Sequence, residues 1–103
     1  MTQRVAFVLR VKASKVDEYV EAHAHVWPGM LAALRAAGFR NYSIFRYGTL
    51  MFGYYEAVDS EQAAQFMAAS PINAKWQDAM ADLLESRVPD QGPSTLLEVF
   101  RLD

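Results

Sequence analysis

The sequence predicts an α+β domain: a ferredoxin-like antiparallel sheet with helices on one face. Three observations carry this. Segments of strand and helix character follow in the order strand, helix, strand, strand, helix, strand. Two aromatic-rich runs meet at Gly48, which is a hairpin signal. Each helical segment is broken by a proline, Pro28 in the first and Pro71 in the second. The chain of 103 residues suits a single domain spanning 1–103, and no repeat or linker divides it.

The elements follow in order. RVAFVLRV, Arg4 to Val11, is apolar and β-branched between polar ends and predicts a buried strand. From Ser14, the expected N-cap, the period lengthens. Val16, Tyr19, Val20, His23 and Trp27 recur at three and four residues, placing them on one helical face directed at the sheet. Asp17 supplies an acidic first turn. Pro28 interrupts this helix or opens a new one, and GMLAALRAAG forms a second piece stopped by Gly38.

Phe39 to Tyr47 and Thr49 to Ala57 form the hairpin strands. Asp59 or Ser60 caps EQAAQFMAAS. Ser70 as cap and Pro71 as first helical residue then start INAKWQDAMADLLES, ending at Ser86. RVPDQGPS is a loop, and TLLEVFRL, Thr95 to Leu102, is the closing strand.

Composition removes several function classes. Hydrophobic residues make up 52% of the chain, so it buries a core. Ten Lys plus Arg against twelve Asp plus Glu give a net charge of −2, which offers no field for nucleic-acid phosphates. With no cysteine there is no disulfide, thiolate nucleophile or thiolate metal site. No apolar run is long enough to span a membrane and no signal peptide is evident, which predicts a cytoplasmic protein. At this size, pairing with a second copy would bury useful extra area, so a homodimer is expected.

DEYVEAHAHVWPG holds both histidines, His23 and His25, one residue apart. On a helix such residues lie about 200° apart around the axis, so they do not share an ion, and no metal site is expected. His23 shares its face with Tyr19 and Trp27; His25 falls on the other side. A histidine there is either a satisfied core group or a general acid–base group in a half-buried pocket. Tyr42 is either core or presents its hydroxyl to a ligand, and Trp76 is a packing anchor or a flat platform. Aromatic faces stack on the C–H side of sugar rings while phenol and imidazole bond the hydroxyls, so together these residues suggest a small polyol site.

The chain resembles the L-rhamnose mutarotase family. The resemblance rests on Tyr-x-x-x-His-x-x-x-Trp-Pro, met by Tyr19, His23, Trp27 and Pro28, and on Asn41, Tyr42 and Ile44 in the next strand. Lys75, Trp76, Met80 and the ending LLEVFRL extend it over nearly the whole chain. It implies a fold of the dimeric α/β-barrel type, a homodimer, and cofactor-independent interconversion of the α and β anomers of a 6-deoxy-hexose. L-rhamnose leads, with L-fucose or a related sugar as alternatives. It further implies His23 as proton donor, with Tyr19, Tyr42, Trp76 and Gln77 at substrate-binding positions; Tyr19 is also the candidate for the second proton-transfer or orienting role. The chain departs from the pattern at Gln77, where a second tryptophan is common, and at Gly29, where an acidic residue is common. The competing expectations are a small dimeric α/β-barrel monooxygenase or haem-handling protein, and a non-catalytic dimeric ligand-binding module.

Overall fold

The computed structural model describes residues 2–85 and 94–102. Strand β1 (Gln3–Arg10) leads through a short 3₁₀ turn at Ala13–Lys15 into α1 (Val16–Ala24), then α2 (Pro28–Ala37), β2 (Arg40–Tyr47), β3 (Leu50–Ala57), α3 (Ser60–Ala68), α4 (Pro71–Ala81) and β4 (Ser94–Thr95). The sheet order is β2-β3-β1-β4, with all pairs antiparallel. This is the ferredoxin-like arrangement expected. The predicted Arg87–Ser94 loop lies outside the described residues, apart from Ser94 in β4.

Prolines and glycines act where local chemistry requires. Pro28 and Pro71 each occupy the first turn of a new helix, where a missing N–H costs nothing. Gly38 closes α2 at φ 103°, and Gly48 turns the hairpin at φ 62°, both in the left-handed region. Asp59, rather than Ser60, caps α3: its Oδ1 accepts from the Gln62 N–H at 3.0 Å.

Four expectations change. Ser14 lies in the 3₁₀ turn and caps nothing, because α1 begins at Val16. Val20 is exposed rather than directed at the sheet, since the helix buries the Val16–Tyr19 side. The fourth helix stops at Ala81, not Ser86, because its end is recruited by β1. Leu83 is buried, Val11 bridges Leu84, and the Lys12 and Glu85 N–H groups bond the Leu83 and Arg10 carbonyls, each at 2.9 Å. These contacts outweigh the helical propensity of the segment.

The closing strand is likewise shorter. Among the described residues, Ser94 and Thr95 alone pair with Val8 and Phe7, and the Leu96 N–H then bonds the Ala6 carbonyl at 2.8 Å. Glu98 reaches Arg4. Continuing this register would set Val99 beside Gln3, so β1 is still available where the pairing stops, and Phe100 to Leu102 alone would run past its start.

The core lies between the helices and one sheet face, joining Val11 and Met51 to Val16, Tyr19, Met30, Met67, Trp76, Met80 and Leu83. Phe7 sits opposite Gly53 in the ladder, and its ring covers the space a side chain would take. A Cβ at 53 would stand 2.0 Å from the tip of that ring. Gly53→Ala is therefore expected to cost about 1–3 kcal/mol through overpacking, read as a lower urea midpoint with an unchanged slope.

Candidate functional site

Helix α1 sets the site. Tyr19 and His23 stand one turn apart with their rings stacked, centroids 4.2 Å apart and planes inclined by 29°. Tyr19 is buried and His23 half-buried. His23 Nδ1 lies 2.8 Å from the Tyr19 carbonyl oxygen. That carbonyl only accepts, so Nδ1 carries the hydrogen and donates, leaving Nε2 as the nitrogen free for chemistry. Burial lowers the imidazole pKa below its ordinary 6.5, and the bond to Tyr19 partly opposes that shift. The neutral imidazole with a bare Nε2 lone pair is thus the resting form at neutral pH.

Helix α4 brings Trp76 against this pair. Its buried indole meets His23 at 5.3 Å and Trp27 at 5.1 Å, both edge-on. Trp76 is a packing anchor with His23 at its side, not an open platform. Trp27 arrives by a different route from the one its spacing suggested. Helix α1 ends at Ala24, and Trp27 is the N-cap residue of α2 rather than a continuation of the α1 face.

The sheet supplies Tyr42. Between Arg40 and Ser43 the β2 ladder slips: Arg40 pairs with Glu56 and Ser43 with Tyr54, so Asn41 and Tyr42 together oppose Tyr55. Tyr42 consequently stacks on Tyr55 at 5.3 Å and meets Phe39 at 5.8 Å and Phe7 at 6.3 Å. Although Tyr42 is 39% exposed as a residue, burial raises its phenol pKa, and the neighbouring Tyr19 and Tyr55 phenols add to the rise. Burial also pushes the Tyr19 phenol up to about 12, so it stays protonated and able to donate a hydrogen bond.

Tyr19, His23 and Trp76 are thus brought into ring contact, while Tyr42 belongs to the sheet cluster of Phe7, Phe39 and Tyr55. Gln77 joins neither: it is exposed, and its amide donates to Asn73 Oδ1 at 3.2 Å along its own helix. His25 lies beyond the end of α1, exposed, with Nδ1 3.1 Å from Glu21 Oε1. Among the described residues no three His, Asp or Glu side chains form a metal cluster. Sequence reasoning overlooked Tyr55, which stands opposite Val5 in the unbroken β1–β3 ladder and meets Tyr42 only because of the β2 bulge. A hollow of about 460 Å³ near Gly38, Asn41 and Glu56 contains none of the predicted site residues. It does not coincide with the aromatic cluster, where the titratable chemistry lies.

A family model described as L-rhamnose mutarotase matches residues 4–102. The chain belongs to the L-rhamnose mutarotase family. It is 38% identical over 104 residues to the L-rhamnose mutarotase of Oceanobacillus iheyensis, covering 98% of this chain and 99% of the relative. The L-rhamnose mutarotase of Phocaeicola vulgatus is 36% identical over 105 residues, with 98% and 99% covered. The crystal structure of an L-rhamnose mutarotase from Formosa agariphila superposes with a TM-score of 0.80 at 28% identity, covering 98% and 99% of the two chains. The tetracenomycin F2 cyclase of Streptomyces glaucescens shares the fold, with a TM-score of 0.70 at 18% identity and 98% and 97% covered. Membership in the mutarotase family makes the chain an isomerase and does not favour the monooxygenase, haem-handling or binding-module alternatives. Among the described residues no helix is long and apolar enough to cross a membrane.

Proposed function

We propose that this protein interconverts the α and β anomers of L-rhamnose, with His23 Nε2 as the proton-transfer atom. The supporting observation is the Nδ1–H bond to the Tyr19 carbonyl, which fixes the tautomer and frees Nε2 beside the Tyr19 phenol. In ring opening, Nε2 removes the proton from the anomeric O1 hydroxyl. The C1=O1 bond forms, the C1–O5 bond breaks, and O5 takes a proton from the Tyr19 phenol or a water it orients. Rotation about C1–C2 presents the other face of the aldehyde. Closure reverses the transfers, and the imidazolium then acts as the proton donor that the family resemblance implies. Only protons move, so no redox or group-transfer step is called for.

Tyr42 bonds a sugar hydroxyl and Trp76 holds the imidazole in place. Gln77 stands at the rim, where meeting a hydroxyl would cost its bond to Asn73. The working form is a cytoplasmic homodimer. Supporting this, Phe45 and Tyr47 on the outer sheet face, and Leu97, Val99, Phe100 and Leu102 in the tail, are all exposed in the single chain. A second copy packed on that face would cover them, and sedimentation would give twice the 11.6 kDa chain mass.

Saturation-transfer NMR on equilibrated L-rhamnose tests the activity directly. Irradiating one anomeric proton in the presence of enzyme is expected to deplete the other. A panel including L-fucose reads sugar preference, and no transfer with any 6-deoxy-hexose would refute the proposal.

A further inference from the structure

The slip in β2 has an anchor on the outer side of the sheet. Asn41 adopts φ 52°, the left-handed conformation that asparagine tolerates better than most residues. Its amide donates to Glu56 Oε1 at 3.0 Å, while the Tyr54 hydroxyl donates to Glu56 Oε2 at 2.7 Å. Both carboxylate oxygens are therefore engaged, one by the bulge residue and one by the neighbouring strand position. The consequence is a matter of register. Without the bulge, the Arg40–Glu56 pairing would carry on with Asn41 opposite Tyr55 and Tyr42 opposite Tyr54, on the outer face. With it, Tyr42 and Ile44 turn inward, Ile44 against the core and Tyr42 against Tyr55.

We propose that Glu56 is a positioning residue for Tyr42: by holding Asn41 in its left-handed bulge, it directs the Tyr42 side chain to the helix side of the sheet. Its effect on turnover rests on the mutarotase function proposed above, whereas its effect on Tyr42 does not. Glu56→Ala removes both hydrogen bonds, and Asn41→Val removes the amide and disfavours the left-handed backbone. Asn41→Gly removes the amide but keeps the backbone accessible, so it is the rescue variant.

Two readouts are compared across these variants. The first is the set of NOEs from the Tyr42 ring to the Phe7 and Tyr55 rings, with the chain isotopically labelled at tyrosine. Glu56→Ala and Asn41→Val are expected to lose them, while Asn41→Gly retains them at reduced intensity. The second is steady-state anomer exchange of L-rhamnose. KM is expected to rise about tenfold in Glu56→Ala with kcat changed less than about threefold, because the group misplaced binds sugar rather than moves the proton. A merely structural role would lower the melting temperature while leaving both the NOEs and KM in place below the transition, and that result overturns the proposal. Lost NOEs with an unaltered KM uphold the positioning by Glu56 and overturn the sugar-binding role given to Tyr42. If wild type exchanges no sugar, the functional proposal fails, and the NOEs alone decide whether Glu56 positions Tyr42.

Discussion

His23→Ala is expected to lower the enzyme-catalysed exchange of rhamnose anomers by about 10²–10⁴-fold, the range that positioned acid–base groups supply. Since the sugar mutarotates slowly unaided, the measured rate should settle on the background rather than reach zero. The pH profile sharpens the assignment. Burial lowers the His23 pKa from 6.5, so the neutral form extends to lower pH than in an exposed histidine. If Nε2 starts as the base, kcat/KM should be flat above 6.5 and fall along an acid limb centred below that value. If the resting group were instead imidazolium, activity would decline as pH rises through the same region. The linked stability has the same sign. A group neutral in the fold contributes fully above its unfolded value and loses that contribution as pH falls towards the folded one. His23→Gln separates proton transfer from packing: it keeps a polar group beside Tyr19 but holds no exchangeable lone pair of imidazole basicity, so it should be as slow as the alanine variant.

That His23 and His25 face different surroundings was legible in the sequence, because a helical period of 3.6 residues separates side chains two positions apart. In the fold the separation arises partly otherwise, as α1 ends at Ala24 and His25 lies beyond it against Glu21. Local signals served well wherever one residue dictates backbone geometry. Pro28, Pro71, Gly38 and Gly48 all stand where their constraints predict.

What the sequence did not disclose depends on distant partners. The early end of α4 follows from hydrogen bonds between Leu83–Glu85 and the end of β1, which no window around Asp82 contains. The end of β4 at Thr95 is explained neither by the run TLLEVFRL, which keeps its strand character, nor by β1, which continues to Gln3. The bulge at Asn41 was hidden for the same reason as the end of α4. Its left-handed backbone is tied to Glu56, fifteen residues away, and simple alternation along Phe39 to Tyr47 gives no sign of a slip. Tyr42 was singled out by type and resemblance, but the side of the sheet it faces is a property of the paired strands.

Trp76→Ala is expected to be the most destabilising single substitution among the site residues, costing about 3–5 kcal/mol by emptying a large buried volume. For a domain whose total stability is about 5–15 kcal/mol, that is a large fraction. Each 1 kcal/mol lowers Tm by about 4–8 °C in a domain near 100 residues, so calorimetry should show a drop of at least about 12 °C. The indole is 7% exposed and stands edge-on to both Trp27 and His23, so its removal also opens the imidazole to water. Relief of burial should move the His23 pKa up towards 6.5, bringing the acid limb of activity with it. The chain holds only two histidines, so a ¹H NMR titration reads His23 against His25 in one experiment. Trp76→Phe fills most of the volume and keeps an aromatic edge at His23; it should restore most of the lost stability and leave the His23 titration near wild type. A Trp76→Ala protein of unchanged Tm would show that α1 and α4 are held together by the surrounding aliphatic core, Met80 and Leu83 included, rather than by the paired indoles.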